Sequence, residues 1–151
     1  MTLIAIDPGS SSGAIVALQP DGGIARYNMP DTLLDIWELL NSIPIPARVV
    51  MEDVGGSRPG NSAKSARTFA EHVGALKMAL LAAGLSHEFV LPRKWLTGLF
   101  GENYPKGSDS DSSHARKQFV YERMQREYPT VGFTKRQADA MAILHWARTR
   151  L

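Results

Sequence analysis

A mixed α/β fold, with a five-stranded sheet flanked by helices, is what this chain predicts, and three observations predict it. Short apolar runs at Leu3–Asp7, Ser12–Leu18 and Ile24–Met29 follow one another with only turns between them. Two later runs, Arg48–Glu52 and His87–Leu91, are each preceded by a stretch of helical periodicity. The resulting order, βββαβαβαα, starts as an antiparallel meander of strands one to three. It continues through helical crossovers, which parallel pairing requires.

Each element carries its own signal. Gln19-Pro20-Asp21-Gly22-Gly23 is a turn sequence between the second and third strands. Asp31 is placed to cap a helix bearing Leu33, Leu34, Ile36, Trp37, Leu39 and Leu40, and Pro44-Ile45-Pro46 stops it. Arg48–Glu52 contains Val49 and Val50 and reads as a buried strand. Gly55–Asn61 reads as a loop, followed by a long helix over Ser62–Ala83 closed by Gly84. On that helix Phe69, Val73, Leu76 and Leu80 form one apolar stripe, which makes Phe69 a core residue. A short helix over Arg93–Phe100, a polar loop over Gly101–Ser113 and helices over Ser113–Tyr128 and Thr134–Arg150 complete the chain. With no repeat and no linker, residues 1–151 read as a single domain, long enough to bury a core without staples.

Composition narrows the function classes. The chain has no cysteine, which excludes disulfide frameworks, thiolate metal sites and cysteine nucleophiles. Its 44% hydrophobic and 21% charged content is that of a soluble globular protein. The N-terminus enters a strand with none of the features of a secretory signal, and no apolar run is as long as a membrane span. The expected setting is a reducing cytosol, with no membrane partner. The net charge of +2 conceals an asymmetry. Residues 1–56 hold 2 basic groups against 7 acidic ones, and residues 57–151 hold 15 against 8, giving −5 and +7. An acidic block followed by a basic remainder suits a protein that sets a cation against a polyanion.

The acids themselves are informative. Asp7 closes the first strand, Glu52 closes the fourth, and Asp139 opens the apolar last helix in Gln137-Ala138-Asp139-Ala140-Met141-Ala142-Ile143. Carboxylates gathered at one sheet edge repel one another unless divalent cations neutralise them, and hard cations prefer such oxygen ligands. Hydrolysis of a phosphodiester by two ions about 3.5–4 Å apart is one chemistry that needs this set, with Asp7 central enough to reach both. Individually the residues have plainer readings. Asp7 can cap its own turn, Asp53 can be the inward acid in place of Glu52, and Asp139 can serve the helix dipole.

The element order, with acids on strand one, strand four and the last helix, resembles the ribonuclease H-like fold. Within it, Ile4-Ala5-Ile6-Asp7-Pro8-Gly9-Ser10-Ser11-Ser12-Gly13 and Gln137-Ala138-Asp139-Ala140-Met141-Ala142 are similar to the RuvC group of Holliday junction resolvases, above all its shorter phage-type members. The resemblance implies a homodimeric, Mg²⁺-dependent endonuclease (Mn²⁺ being the other candidate ion) that cuts branched DNA such as a four-way junction. It implies Asp7, Glu52 and Asp139 as catalytic metal ligands, no small-molecule cofactor, and dimerisation through the long helix that contains Gly74. Members of the group usually carry a fourth acid, or a histidine, one turn before the last aspartate. This chain has Lys135 and Arg136 there. Lying four and three residues before Asp139, both are expected on its helical face, with Lys135 as a catalytic cation holding the scissile phosphate and Arg136 as a nucleic-acid contact.

Further contacts are expected from Ser10, in a glycine-flanked turn whose N–H groups suit a phosphate, and from Arg58, Lys64 and Arg67. Trp95 reads as a packing residue, and Arg116, Lys117, Arg123 and Arg126 have two readings, a row lining DNA or a solvated helix face, of which the second is slightly preferred. His114 and His145 lack a zinc-binding pattern. Two other functions remain open. One is RNA processing of the YqgF type, although that group carries a basic residue in the first loop where this chain has serines. The other is non-catalytic junction binding, to which the missing fourth acid points.

Overall fold

The computed structural model describes residues 1–54, 62–107 and 110–150; Arg58 lies outside them. Its sheet contains β1 (Thr2–Asp7), β2 (Ala14–Leu18), β3 (Ile24–Asn28), β4 (Ala47–Glu52) and β5 (Ser86–Val90) in the order β3-β2-β1-β4-β5. The first three strands form the antiparallel meander, while β1 pairs in parallel with β4 and β4 with β5. The helices are α1 (Leu33–Asn41), α2 (Ala63–Ala82), α3 (Pro92–Phe100), α4 (Ser110–Glu127) and α5 (Ala138–Arg148). None is long and apolar enough to cross a membrane, among the described residues.

Strand alternation divides the core in two. Leu3, Ala5, Val16 and Val50 face α5, α4 and α3. Ile4, Ile6, Ile15, Val49 and Met51 face Ile36 and Leu40 of α1 and Leu76 and Leu80 of α2. The central strands are buried on both faces, as their near-continuous apolar sequences require. α5 lies across β1, β2 and β4. Its alanines at 138, 140, 142 and 147 are all buried, and their small size lets a helix approach a sheet closely.

The helix starts differ from expectation in three places. α1 is capped by Thr32 rather than Asp31: the Thr32 hydroxyl accepts from the Asp35 N–H at 3.1 Å and donates to its carboxylate at 2.6 Å. This reciprocal pairing satisfies an N-terminal amide in a way that Asp31 does not. α4 starts at Ser110, within the stretch expected to be a loop, with Asp111 in its first turn where an acid favours the helix dipole. The last helix is entered through a 3₁₀ turn, Lys135–Gln137, closed by a capping box between Thr134 and Gln137.

The stripe on α2 is also shifted. Leu76 and Leu80 are fully buried, but the next inward position one turn earlier is His72, and Phe69 is only partly buried. The His72 Nε2 has no hydrogen-bond partner among the described residues, and burial holds this imidazole below its ordinary value. His145, bonded through Nδ1 to the Tyr128 hydroxyl at 3.0 Å, is also lowered. Burial is its main cause, with Arg148 and Arg123 adding to it and Glu127 opposing.

Both rings are thus neutral in the fold, and the unfolded chain takes up protons first on acidification. Their contribution to stability is complete above the ordinary imidazole range, near about pH 6.5, and is lost as pH falls through it. Urea unfolding is expected to show a lower midpoint at about pH 5.5 than at about pH 7.5, with a shallower dependence in His72→Leu. An identical pH dependence in that variant would show that His72 is not the buried neutral group described here.

Candidate active site

Because β1, β4 and β5 are parallel, their carboxyl ends share one edge of the sheet, where open α/β sheets form their binding crevices. Asp7 and Glu52 are the last residues of β1 and β4, one step beyond the paired Ile6 and Met51. Alternation gives Asp7 the facing of Leu3 and Ala5, and Glu52 the facing of Val50, so both turn toward α5. Asp139 lies in the first turn of α5. Asp7, Glu52 and Asp139 all line one groove of about 2020 Å³. Among the described residues no three His, Asp or Glu side chains converge closely enough to hold a metal ion by themselves. The donor set nevertheless suits a hard cation of the Mg²⁺ kind, which is commonly held by one or two carboxylates and completed by water and phosphate oxygens.

The strand pleat gives Glu52 and Asp53 different surroundings. Asp53 also borders the groove but meets the Lys77 ammonium of α2 at 4.0 Å, whereas Glu52 turns inward and is only 7% exposed. A carboxylate buried to that degree needs hydrogen bonds to replace water. The Trp95 indole N–H supplies one, donating to Glu52 Oε1 at 2.9 Å. Trp95 is therefore more than the packing residue expected from the sequence. It is carried by α3, whose Gly98 sits so close to Trp146 of α5 that a Cβ there would lie 2.8 Å from the indole nitrogen.

The loop after Asp7 is shaped by another close approach. The Gly13 N–H donates to the Gly9 carbonyl at 2.9 Å, and a Cβ on Gly13 would collide with the Asp7 carbonyl and lie 2.6 Å from both N and O of Gly9. Only glycine fits, and the turn leaves Ser10, Ser11 and Ser12 exposed on the groove.

Lys135 and Arg136 do not share one environment. The 3₁₀ turn replaces the α-helical spacing assumed for them. Lys135 stands exposed on the groove. Arg136, half-buried at its margin, donates to the carbonyls of Gly13 at 3.1 Å and Met29 at 3.4 Å, tying the last helix to the β2–β3 hairpin. Lys64 lines the groove, but Arg67 turns to Glu71 at 2.8 Å and does not. On the opposite wall Arg116 and Lys117, for which the solvated face was the preferred reading, line the groove beside His114 and Tyr104. Arg116 also donates to the Gly107 carbonyl. Which face of α4 borders the groove is set by tertiary packing, which the helix's own sequence does not show. Arg123 lies farther along and pairs with Glu127 at 3.3 Å.

No protein-family model matches the sequence, and comparison with curated proteins finds no match either. Among solved structures, RuvC from Thermus thermophilus is similar over 99% of this chain and 97% of its own, with a TM-score of 0.58 and 18% identity. T. thermophilus RuvC in complex with a Holliday junction substrate is similar over 99% and 96%, with a TM-score of 0.63 and 17% identity. The chain has a RuvC-like fold. At this identity the likeness is one of architecture, and Asp7, Glu52 and Asp139 are placed at the sheet edge by this chain's own register and packing.

The glycine turn gives the RuvC-like sheet edge a sharp test. Gly13→Ala is expected to cost roughly 1–3 kcal/mol of stability, the range for forcing extra atoms into a packed site. Gly74→Ala, with open space around its Cβ position, is expected to be neutral or stabilising. Chemical denaturation of both variants checks this, and equal stabilities would contradict the close backbone approach at Gly13.

Proposed function

We propose that this protein is a divalent-metal-dependent endonuclease that resolves four-way junctions or related branched DNA, acting as a homodimer. The observation that carries the reading is the opening of Asp7, Glu52 and Asp139, from three separate elements, onto one groove at the carboxyl edge of a RuvC-like sheet. The junction substrate bound by the similar T. thermophilus protein supports branched DNA as the ligand.

In this reading Asp7, on the central strand, Glu52 and Asp139 hold the ions. Bound Mg²⁺ or Mn²⁺ supplies a water of lowered pKa and relief of charge at the phosphate. Lys135 holds the scissile phosphate in the place of the acid that the family resemblance leads one to expect. Lys64, Arg116 and Lys117 track the flanking backbone, and the Ser10 turn offers hydroxyl and amide donors. Arg136 acts from behind this surface by fixing the start of α5 to the hairpin.

A second reading, non-catalytic junction binding, is favoured by one observation: no trio of acids is drawn together among the described residues. One experiment separates the readings. Labelled four-way junction, linear duplex and single-stranded RNA are incubated with Mg²⁺, Mn²⁺ or EDTA. Paired nicks in the junction alone are expected, abolished by EDTA and reduced at least about 100-fold in Asp7→Asn. Lys135→Ala should lose about 100-fold in rate with metal affinity retained, as expected of a lost phosphate contact. Tight junction binding without cleavage would establish the binding reading, and cleavage of RNA alone would move the protein to RNA processing.

The homodimer rests on the outer surface of α1 and α2. Leu33, Leu34, Met78 and Leu81 are each 62–66% exposed there, beside an apolar groove of about 260 Å³. Apolar side chains gathered in this way mark an interaction surface. Light scattering is expected to give twice the chain mass for the native protein and the chain mass for Met78→Glu/Leu81→Glu, with paired nicks reduced to single nicks. A monomeric native protein would remove the paired-cut mechanism.

A further inference from the structure

We propose that Trp95 is a positioning residue for the metal site, holding one end of the Glu52 carboxylate at the groove. The inference rests on the metal reading of Asp7, Glu52 and Asp139 and extends it to a residue outside the carboxylate set. Four observations carry it. The Trp95 Nε1–H donates to Glu52 Oε1 at 2.9 Å. Both side chains are buried, at 3% and 7% exposure, so water does not compete for this bond. Trp95 is itself fixed, packing edge-on against Phe100 with ring centroids 6.5 Å apart. Finally, the helix that carries it is seated on α5 through the contact between Gly98 and Trp146.

The physical consequence is directional. A glutamate at a strand end has three side-chain torsions, and in a wide groove these leave its carboxylate in several orientations. An indole N–H is a donor only, so it engages a carboxylate oxygen without competing as an acceptor for a cation. With Oε1 engaged by the indole, one end of the carboxylate is fixed, and the group meets the groove in a restricted set of orientations. Outer partners of this kind tune metal affinity by fixing the ligand before the ion arrives. The contact through Gly98 adds a second effect. α3 spans from the β4 ligand to the helix that carries Asp139, so the separation of two metal-binding acids is set partly by one tryptophan and one glycine.

Two measurements on the full-length chain test this. The first needs no metal. The chain has three tryptophans, so its nitrogen–proton spectrum shows three indole cross-peaks, assigned with Trp95→Phe. In Glu52→Gln the Trp95 peak is expected to move upfield as a charged acceptor becomes neutral. The Trp146 indole, whose nitrogen has no hydrogen-bond partner, should stay in place. The second is Mn²⁺ affinity by calorimetry. Trp95→Phe keeps a ring but loses the N–H, and is expected to bind Mn²⁺ about 10–100-fold more weakly. In a Glu52→Gln background the same substitution should bring no further loss.

A Trp95 peak that ignores Glu52→Gln overturns the proposal. So does an unchanged Mn²⁺ affinity in Trp95→Phe, or an equal loss in the Glu52→Gln background, which would reveal general packing damage. Failure of the native chain to bind Mn²⁺ at all would instead overturn the metal reading itself, and the inference with it.

Discussion

The parallel pairing of β1 with β4 is the constraint on which the rest of this structure depends. Both strands are buried on their two faces, so their registers are set by the need to hide Leu3 to Ile6 and Val49 to Met51 from water. A parallel register brings both chains to their ends at the same edge. The first residues free of the hydrophobic demand, Asp7 and Glu52, therefore emerge as neighbours facing one side. A slip of one residue would turn Glu52 toward α2 and bring Asp53 into its place, and it would exchange the side chains that β4 packs into its two helical layers. The hydrophobic core thus enforces the position of the acids, although none of those acids contributes to it.

The last helix completes the arrangement by an equally ordinary cause. Alanines let α5 lie close across the sheet, and close packing fixes its rotation and depth. Its entry is held by the Thr134–Gln137 capping box, by Gln137 donating to Asn28 at 3.2 Å and by Arg136 bonded to two carbonyls of the hairpin. Asp139 inherits its position from these bonds. Around the acids the basic side chains of α2, α4 and the final turn form the walls. The charge asymmetry of the linear sequence thus becomes a spatial one: an acidic floor largely from the first half and a basic rim from the second. In the proposed reading, that distribution suits a polyanion at the rim and a cation at the floor.

Much of this was legible because the signals are local and periodic. The five strands and five helices follow from alternation, helical spacing and turn residues, and Asp7, Glu52 and Asp139 were recognisable at element ends. What was not legible had non-local causes. His72 occupies the inward position on α2 that the apolar stripe assigned nearer to Phe69, because the sheet, not the helix, decides which side is covered. Arg67 and Lys64 look equivalent in sequence, yet a glutamate four residues on engages one of them. Arg116 and Lys117 join the groove because α4 packs against α5 and the turn that precedes it, which its own periodicity does not show.

The sequence by itself determined the order of elements, the chemistry of the three acids and the glycine turn after Asp7, since these depend on residues close together in the chain. Tertiary structure alone decided that Glu52 is the buried acid while Asp53 turns to Lys77, that Arg136 serves the scaffold and Lys135 the surface, and that Trp95 meets a carboxylate 43 residues away. Such pairings depend on which faces the packed layers present to each other. That is set by the burial of the whole core rather than by any one segment.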